Sequence, residues 1–337
     1  MLSNPSGEIV VKPCKQSEID FYESSFAHRD FLPHIPTFLG KIILGADNIK
    51  AQANGAIVLS TETAAEAPAG SGIGSTTVIA NDWAPSNGER IQTDLAIVLG
   101  NVAHGYKKPN ILDVKLGARL WADDAPTAKR VKLDKVAAET TSKPLGFRIA
   151  GMKTYHGTPN NGREGVTPDG YKLYDKMYGR SFTIENVDEG FGDYLLLDKE
   201  EKARGPIRKV IKRFIGDLRA LQEVIEKEES RMYSASLLFV YEGEQQCLRD
   251  AFTLETDIID GLPHKTPHAN AITNGNGSED IDGNDDDEGL DEGIKFPAIQ
   301  SLKLIDFAHA EWTPGQGPDE NLLHGIRNVI KVLNELA

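Results

Sequence analysis

Hydrophobic and polar residues follow two different periods along the chain, and together they predict a mixed α+β protein. Short apolar runs bounded by Pro or Gly are typical of strands, and the main ones span residues 8–14, 95–99, 109–117, 147–155 and 234–243. Apolar residues at steps of three and four are typical of amphipathic helices, and they cover residues 205–228 and 322–333. Both sheets and helices are therefore expected to contribute to the core.

A basic helix is predicted over residues 127–139. Asp124 precedes Pro126, and an Asp cap followed by Pro in the first turn is typical of a helix start. Within this helix Lys129 and Lys132 lie about 60° apart around the axis and share a face, with Lys135 a further step round. Most lysine-rich helix faces are solvated, so the spacing alone leaves a solvated face and a phosphate-binding face both open.

The composition is typical of a soluble globular protein. The chain has 337 residues, of which 39% are hydrophobic and 26% charged, and this length is sufficient for two lobes. No apolar run approaches the roughly 18 to 20 residues of a membrane span, and the N-terminus lacks the pattern of a secretory signal. The two cysteines, Cys14 and Cys247, are expected to be reduced thiols in the cytosol or nucleus.

The net charge of −14 is concentrated in one segment. Residues 279–292 hold nine acids and no base, and the rest of the chain has a net charge of only −5. The overall charge therefore does not exclude an anionic ligand. Residues 260–295 have almost no apolar content and are expected to be disordered or mobile. Residues 61–75 are of low complexity, and because their glycines lack a following Lys-Ser/Thr, a surface loop is predicted there rather than a phosphate-binding loop.

Asp113 and Lys115 are the first candidates for chemistry. They are two residues apart in a predicted strand, so both side chains should lie on one face of the sheet. Because burying unpaired charges is costly, such a pair is expected to face a cleft, a partner or a ligand. A structural ion pair at a sheet edge is the alternative.

Two motifs resemble signatures of the inositol polyphosphate kinase family. Pro109-x-x-x-Asp113-x-Lys115-Leu-Gly117 resembles its P-x-x-x-D-x-K-x-G motif, and residues 301–309, Ser-Leu-Lys-Leu-Ile-Asp-Phe-Ala-His, resemble its S-L-x-x-I-D-F-A-H segment. The resemblance implies a two-lobed, protein-kinase-like fold related to the ATP-grasp proteins. It also implies an ATP-binding lobe over 1–100 and a C-terminal lobe over 101–337. Within the latter, 118–180 would be an inserted helical segment that binds inositol phosphates, and 260–295 an acidic disordered insertion.

The resemblance further implies an ATP site that uses Mg²⁺. Lys12, in the first strand, would bind the ATP phosphates, and Glu18, in a helix beginning near Ser17, would orient it. The backbone of Gly100 and Val102 would contact adenine. The remaining ligands would be Asp113, which would hold the ribose, and Asp306, which would hold Mg²⁺.

A neighbouring site for the inositol phosphate is implied by the same resemblance. Lys115 would contact both the transferred phosphoryl group and the substrate, and the other substrate-binding residues would be Lys129, Lys132, Lys176 and His309. No residue stands out as a dedicated catalytic base, so the inositol hydroxyl is expected to attack directly. Asp113, Lys115 and Asp306 are accordingly the predicted catalytic residues.

Among members of the family, the chain most resembles the fungal multikinases, in its acidic insert and in the residues of the first motif, Asp113-Val-Lys115-Leu-Gly117. This implies an ATP-dependent kinase that acts on the 3- and 6-hydroxyls of inositol 1,4,5-trisphosphate and makes tetrakis- and pentakisphosphates. One alternative is an inositol hexakisphosphate kinase that makes pyrophosphates. The other is a nuclear scaffold that binds a transcription-factor complex through the acidic segment. Localisation to nucleus and cytoplasm is expected, without direct binding to nucleic acid.

Overall fold

The computed structural model describes residues 2–43, 56–59, 76–80, 93–157, 165–197, 205–261 and 296–337, with backbone alone for the second and third ranges. These residues form two larger antiparallel sheets, one from the first hundred residues and one from the rest, and a small two-stranded sheet. The predicted loop at 61–75 and almost all of the predicted acidic insertion lie outside the described residues. The mixed α+β class is confirmed.

The N-terminal sheet carries Lys12 at its centre. It has six strands in the order β3-β6-β2-β1-β5-β4, all antiparallel. The strands are β1 (Leu2–Ser3), β2 (Ile9–Pro13), β3 (Phe38–Ile43), β4 (Ala56–Leu59), β5 (Thr76–Ala80) and β6 (Leu95–Gly100). Helix α1 (Gln16–Ser24) follows β2, and 3₁₀ turns at Ser25–Ala27 and Leu32–His34 lead into β3.

The C-terminal sheet carries Asp113 and Lys115 on its central strand. Its five antiparallel strands have the order β12-β11-β7-β8-β9. They are β7 (Pro109–Leu116), β8 (Phe147–Tyr155), β9 (Tyr171–Tyr174), β11 (Ser236–Glu242) and β12 (Gln300–Ile305). A separate pair joins β10 (Ser230–Met232) to β13 (Ala310–Trp312). The predicted division between lobes at residues 100 and 101 falls in the connection between the two sheets, and it remains a prediction.

Seven helices are described after α1. They are α2 (Thr127–Ala138), α3 (Ser142–Leu145), α4 (Lys176–Arg180), α5 (Val187–Leu195), α6 (Gly205–Lys227), α7 (Gln245–Ile259) and α8 (Glu320–Leu336). The predictions of α2, α6 and α8 are confirmed. The predicted Asp cap of α2 is wrong, because Pro126 occupies the cap position and no side chain caps the helix there.

Strand β7 separates the core from the cleft. Leu112, Val114 and Leu116 are fully buried, while the intervening Asp113 and Lys115 are partly exposed on the opposite face. The buried face packs beneath helices α5 and α8, and α6 packs against α8 and β12. The predicted alternation of β7 therefore holds along its whole length, and it directs both charged side chains away from the core.

Gly179 sets how closely α4 packs on β8. A Cβ atom at this position would lie 2.0 Å from the carbonyl oxygen of Ile149, far inside contact distance. Gly179→Ala should therefore displace α4 and lower the free energy of unfolding by about 1–3 kcal/mol. Gly216→Ala, in α6 with no atom within 4 Å of the added methyl, should instead stabilise by about 0.5–1 kcal/mol. Urea unfolding of both variants tests this, and equal changes would contradict it.

None of the described helices is both long enough and apolar enough to cross a bilayer.

Candidate active site

Asp306 lies where the two large sheets meet. It directly follows β12, and its backbone has a φ of +70°, a left-handed conformation that is uncommon outside glycine. The next residue, Phe307, is fully buried, with its ring 4.7 Å from that of Phe21 and 5.2 Å from that of Tyr22 in α1. Aromatic packing therefore fixes the turn against the N-terminal half and presents the Asp306 carboxylate to the cleft.

Two lysines from different sheets converge on this carboxylate. Lys12 Nζ lies 2.8 Å from Asp306 Oδ1 and 2.8 Å from Glu18 Oε1. Lys115 Nζ lies 2.8 Å from Asp306 Oδ2 and donates a 2.8 Å hydrogen bond to the Ser236 hydroxyl. Each oxygen of Asp306 is therefore bound to one ammonium, and the pairing joins the N-terminal and C-terminal halves of the protein.

The charges in this cluster reinforce one another. Burial by itself would lower the pKa of Lys12 and Lys115, but the carboxylate of Asp306, with Glu18 or Asp113, outweighs burial and raises both pKa values. Burial by itself would raise the pKa of Asp306, but the two ammoniums hold that pKa well below its usual range. All three groups are charged at neutral pH, so the cleft presents positive groups to incoming phosphates and one carboxylate to a cation.

Glu18 connects helix α1 to the Asp306 turn. Its side chain is buried, and besides Lys12 it accepts a 3.3 Å hydrogen bond from the backbone N–H of Phe307. The neighbouring Ser17 hydroxyl donates a 2.8 Å bond to the carbonyl of Ala308. The geometry fits the predicted orienting role of Glu18, since this carboxylate holds Lys12 and the turn together.

Asp113 shares a face with Lys115 but does not pair with it. Among the described residues Lys115 forms its ion pair with Asp306, so the alternative of a structural Asp113–Lys115 ion pair is wrong. One oxygen of Asp113, Oδ1, is buried without a hydrogen-bond partner in the described part of the chain. Burial raises the pKa of Asp113 despite the opposing effect of Lys115. An unsatisfied buried acceptor of this kind favours binding of a ligand that donates a hydrogen bond.

Two backbone N–H groups at the end of β6 and just after it are already hydrogen-bonded within the protein. The N–H of Gly100 donates to the carbonyl of Thr37 at 2.8 Å, and the N–H of Asn101 donates to the carbonyl of Glu8 at 2.7 Å. The predicted backbone contact of Gly100 with adenine is therefore narrowed to its carbonyl oxygen. The predicted contact of Val102 is unaffected.

Helix α2 contacts the segment that follows Asp306. Lys129 Nζ lies 3.2 Å from His309 Nε2, and because an ammonium can only donate, this nitrogen must accept. Burial lowers the pKa of His309, and the positive charges of Lys129 and Lys15 lower it further, which is consistent with a neutral imidazole. Two predicted substrate residues thus meet across 180 positions of sequence, and Lys132 shares the exposed face of α2 with Lys129.

Not every predicted substrate residue joins this group. Lys176 is the first residue of α4, and none of its hydrogen bonds or ion pairs within the described residues reaches Lys115, Lys129 or Asp306. Its assignment stays a prediction.

The glycine of the first motif has a steric role. Gly117 has a φ of +99°, and a Cβ atom there would lie 2.7 Å from the side-chain nitrogen of Asn321 in α8. Asn321 accepts hydrogen bonds from the N–H groups of Ala118 and Arg119 and donates to the carbonyl of Arg119. The glycine therefore allows α8 to hold the loop that leads from Lys115 to α2.

Two cleft residues were missed by sequence reasoning. Ser236 pairs with Lys115 across β11 and β7, and Arg148 pairs with Lys115 across β7 and β8. A serine in an apolar strand was a usable signal for the first. No sequence signal identified Arg148, because its position opposite Lys115 depends on the strand register, which includes a bulge opposite Asp113 and Val114.

This arrangement fits a divalent cation bound together with phosphates. Mg²⁺ prefers carboxylate oxygens, and it is commonly held by one or two carboxylates plus substrate phosphates. Asp306 supplies one such carboxylate, and its lysine partners could then bind phosphate oxygens. The described residues contain no group of three or more His, Cys, Asp or Glu side chains that could hold a metal by themselves. Two sheets, a strand lysine held by a helix glutamate, and a carboxylate at the cleft define a kinase-type phosphotransferase.

Comparison with known proteins identifies the family. Residues 96–334 match the family described as inositol polyphosphate kinase. The chain is 32% identical to the inositol polyphosphate multikinase of Saccharomyces cerevisiae over 98% of this chain and 93% of that protein. It is 29% identical to mouse inositol hexakisphosphate kinase 1 over 71% of this chain and 51% of that protein.

A solved structure is similar over nearly the whole fold. The crystal structure of the S. cerevisiae inositol phosphate multikinase, in complex with ADP and Mn²⁺, aligns with a TM-score of 0.62 and 25% identity, covering 98% of this chain and 99% of that one. The chain belongs to the inositol polyphosphate kinase family, and the two-lobed fold inferred from the motifs is confirmed.

Proposed function

We propose that this protein is an inositol polyphosphate multikinase that transfers the γ-phosphoryl group of ATP to the 3- and 6-hydroxyls of inositol 1,4,5-trisphosphate. The observation that carries the proposal is the convergence of Lys12 and Lys115 on Asp306, each at 2.8 Å, beside the basic face of α2. The near full-length similarity to the yeast multikinase supports this choice over the hexakisphosphate kinases, which match a smaller part of the chain.

In the proposed reaction the protein acts mainly by positioning charge. Lys12 and Lys115 exchange their contacts with Asp306 for oxygens of the ATP phosphates, and the unsatisfied Asp113 oxygen accepts a hydrogen bond from a ribose hydroxyl. The inositol hydroxyl oxygen forms the new bond to the γ-phosphorus while the bond between that phosphorus and the β,γ-bridging oxygen breaks. ADP leaves, and the hydroxyl proton is released to solvent. Lys115 neutralises charge on the transferred group.

Mg²⁺ is the proposed cation, with Asp306 as its protein ligand, and it would neutralise charge on the ATP phosphates when bound. The complex of the yeast relative with ADP and Mn²⁺ supports the use of a nucleotide and a divalent cation. Titration of the protein with Mg²⁺ and Mn²⁺ in the presence of ATP would decide between the two metals.

The substrate is tested with purified protein, Mg-ATP and individual inositol phosphates, with product positions determined by NMR. Inositol 1,4,5-trisphosphate should be consumed, with new phosphates at positions 3 and 6. Consumption of the hexakisphosphate alone, with a pyrophosphate as product, would show that the alternative is correct.

The basic face of α2 should determine affinity for the inositol phosphate but not for ATP. Lys129→Ala and Lys132→Ala are each expected to raise KM for inositol trisphosphate about tenfold or more, because each removes a charge-assisted phosphate contact. Lys135→Ala is the matched control, since Lys135 is highly exposed and lies 3.7 Å from Glu139 in the same helix. Equal effects of all three on KM would indicate only a general loss of positive charge.

We propose that the protein acts in nucleus and cytoplasm and that residues 279–292 bind a transcription-factor complex. This proposal rests on the nine acids of that segment, which lies outside the described residues. Deleting 279–292 should leave kinase activity unchanged and abolish partner binding. Loss of both activities would contradict a separate docking function.

A further inference from the structure

Arg148 lies one strand beyond Lys115 on the cleft face of the sheet. Strand pairing aligns Ile305 with Ser236, Ser236 with Lys115, and Lys115 with Arg148, and paired residues project to the same face. Neighbouring strands lie about 4.8 Å apart. Asp306 follows Ile305 at one end of this row, so Arg148 lies on the opposite side of Lys115 from the proposed metal ligand.

The guanidinium of Arg148 is largely uncommitted. An arginine has five N–H donors, and the described contact of Arg148 is a single 2.9 Å bond to the hydroxyl of Ser142. Within the described residues no carboxylate forms an ion pair with it, whereas Arg213 pairs with Glu255. A half-buried cation without a carboxylate partner is unfavourable unless an anionic ligand pairs with it.

The surroundings of Arg148 are positive. Burial, and to a smaller extent the charge of Arg180, lower the pKa of Arg148 to about 10, while the charge of Asp113 acts in the opposite direction. Arg180 is the last residue of α4. Because Gly179 has no side chain, α4 packs closely against Ile149, which directly follows Arg148 in β8. Lys115, Arg148 and Arg180 thus form a cationic group in which Asp306 pairs with Lys115 and Asp113 is the acid that acts on Arg148.

We propose that Arg148 is a substrate-binding residue whose guanidinium takes a phosphate group of the inositol polyphosphate, on the side of Lys115 away from Asp306. The inference rests on the proposed function for the identity of the ligand. Arginine suits this position because its planar fork can bind two phosphate oxygens at once. This subsite is separate from the lysines of α2, so one substrate molecule would be held from the sheet and from the helix.

Two other roles predict different behaviour. If Arg148 only anchors α3 through Ser142, then Ser142→Ala should have the same effect as removing the guanidinium. If Arg148 acts by stabilising the ionised form of Asp113, its loss should raise KM for ATP rather than for the inositol phosphate. Arg148 variants therefore need both Michaelis constants and a binding measurement without ATP.

The experiment compares Arg148→Gln, Arg148→Lys, Ser142→Ala and Arg213→Gln with the unmodified protein. Calorimetric binding of inositol 1,4,5-trisphosphate without ATP, the KM values of both substrates and the unfolding temperature are measured for each. Arg148→Gln should weaken inositol phosphate binding about 10- to 100-fold with KM for ATP unchanged. Arg148→Lys, which keeps the charge but not the fork, should give an intermediate loss, and it serves as the test should the glutamine variant unfold. The two controls should bind as the unmodified protein does.

Binding of inositol phosphates that each lack one of the phosphates of inositol 1,4,5-trisphosphate identifies the phosphate that Arg148 contacts. The loss caused by Arg148→Gln should disappear for the one isomer without that phosphate and persist for the others. Unchanged binding in both Arg148 variants, the same loss in Ser142→Ala, or a change confined to KM for ATP would each overturn the proposal. If the unmodified protein binds inositol phosphates but does not phosphorylate them, the proposed function is wrong and the Arg148 inference stands; if it does not bind them, both are wrong.

Discussion

Asp306→Asn is expected to reduce kcat by about 10³-fold or more while leaving a folded protein. The substitution removes the carboxylate that bonds both Lys12 and Lys115, and with it the proposed ligand of Mg²⁺. A metal ion supplies several kcal/mol of transition-state charge stabilisation, and each 1.36 kcal/mol corresponds to tenfold in rate. Asparagine keeps the shape of the side chain and tolerates the φ of +70° at this turn, so the loss should be chemical rather than structural.

The measurement is steady-state turnover over a range of Mg²⁺ concentrations, with circular dichroism as the check of folding. Glu311→Gln is the matched control, because it removes one negative charge from an exposed residue close by in sequence and should retain full activity. A folded Asp306→Asn protein with nearly normal turnover would show that Asp306 does not hold the metal.

Asp306 should also contribute to stability in a pH-dependent way. Its pKa in the folded protein lies below the ordinary value of 3.8, so its stabilising effect is complete above pH 3.8 and declines as pH falls towards the folded-state pKa. The difference in free energy of unfolding between the unmodified protein and Asp306→Asn should therefore narrow in acid.

Local sequence pattern was sufficient for the longest strands and helices but not for the contacts between them. The shared face of Asp113 and Lys115 follows from the two-residue period of a strand, which is a local property. The helices α5 and α7 were not predicted, because neither has the long apolar stripe of α6 or α8. The contact of Lys115 with Asp306 joins residues 191 positions apart, and periodicity carries no information about such pairs; only the family motifs pointed to it.

The cleft residues that sequence reasoning missed depend on register. Ser236 and Arg148 flank Lys115 only because β11, β7 and β8 pair as they do. A shift of one residue would turn Arg148 to the other face of the sheet. The bulge opposite Asp113 and Val114 changes that register within β8, so the position of Arg148 could not be read from alternation alone.

Lys115→Met should reduce kcat by about 10²- to 10³-fold and also raise KM for the inositol phosphate. Its ammonium is held by Asp306 and Ser236, both at 2.8 Å, and the Ser236 contact can still orient it when phosphate oxygens replace Asp306. Removing one oriented donor from developing negative charge costs about 10²- to 10³-fold in rate. Methionine fills a similar volume without the charge, so the protein should remain folded, with an unfolding temperature lowered by the loss of the ion pair to Asp306.

The pKa of Lys115 distinguishes electrostatic stabilisation from base catalysis. Burial opposes its charge, but Asp306 and Asp113 raise the pKa above the ordinary value of 10.5, so the group is an ammonium at neutral pH and cannot accept a proton. Activity should therefore show no ionisation of Lys115 between pH 6 and 9. Lys209→Met, on α6 away from the cleft, is the control and should be fully active. If Lys115→Met retained kcat and changed only the KM for the inositol phosphate, Lys115 would bind substrate without stabilising the transferred phosphoryl group.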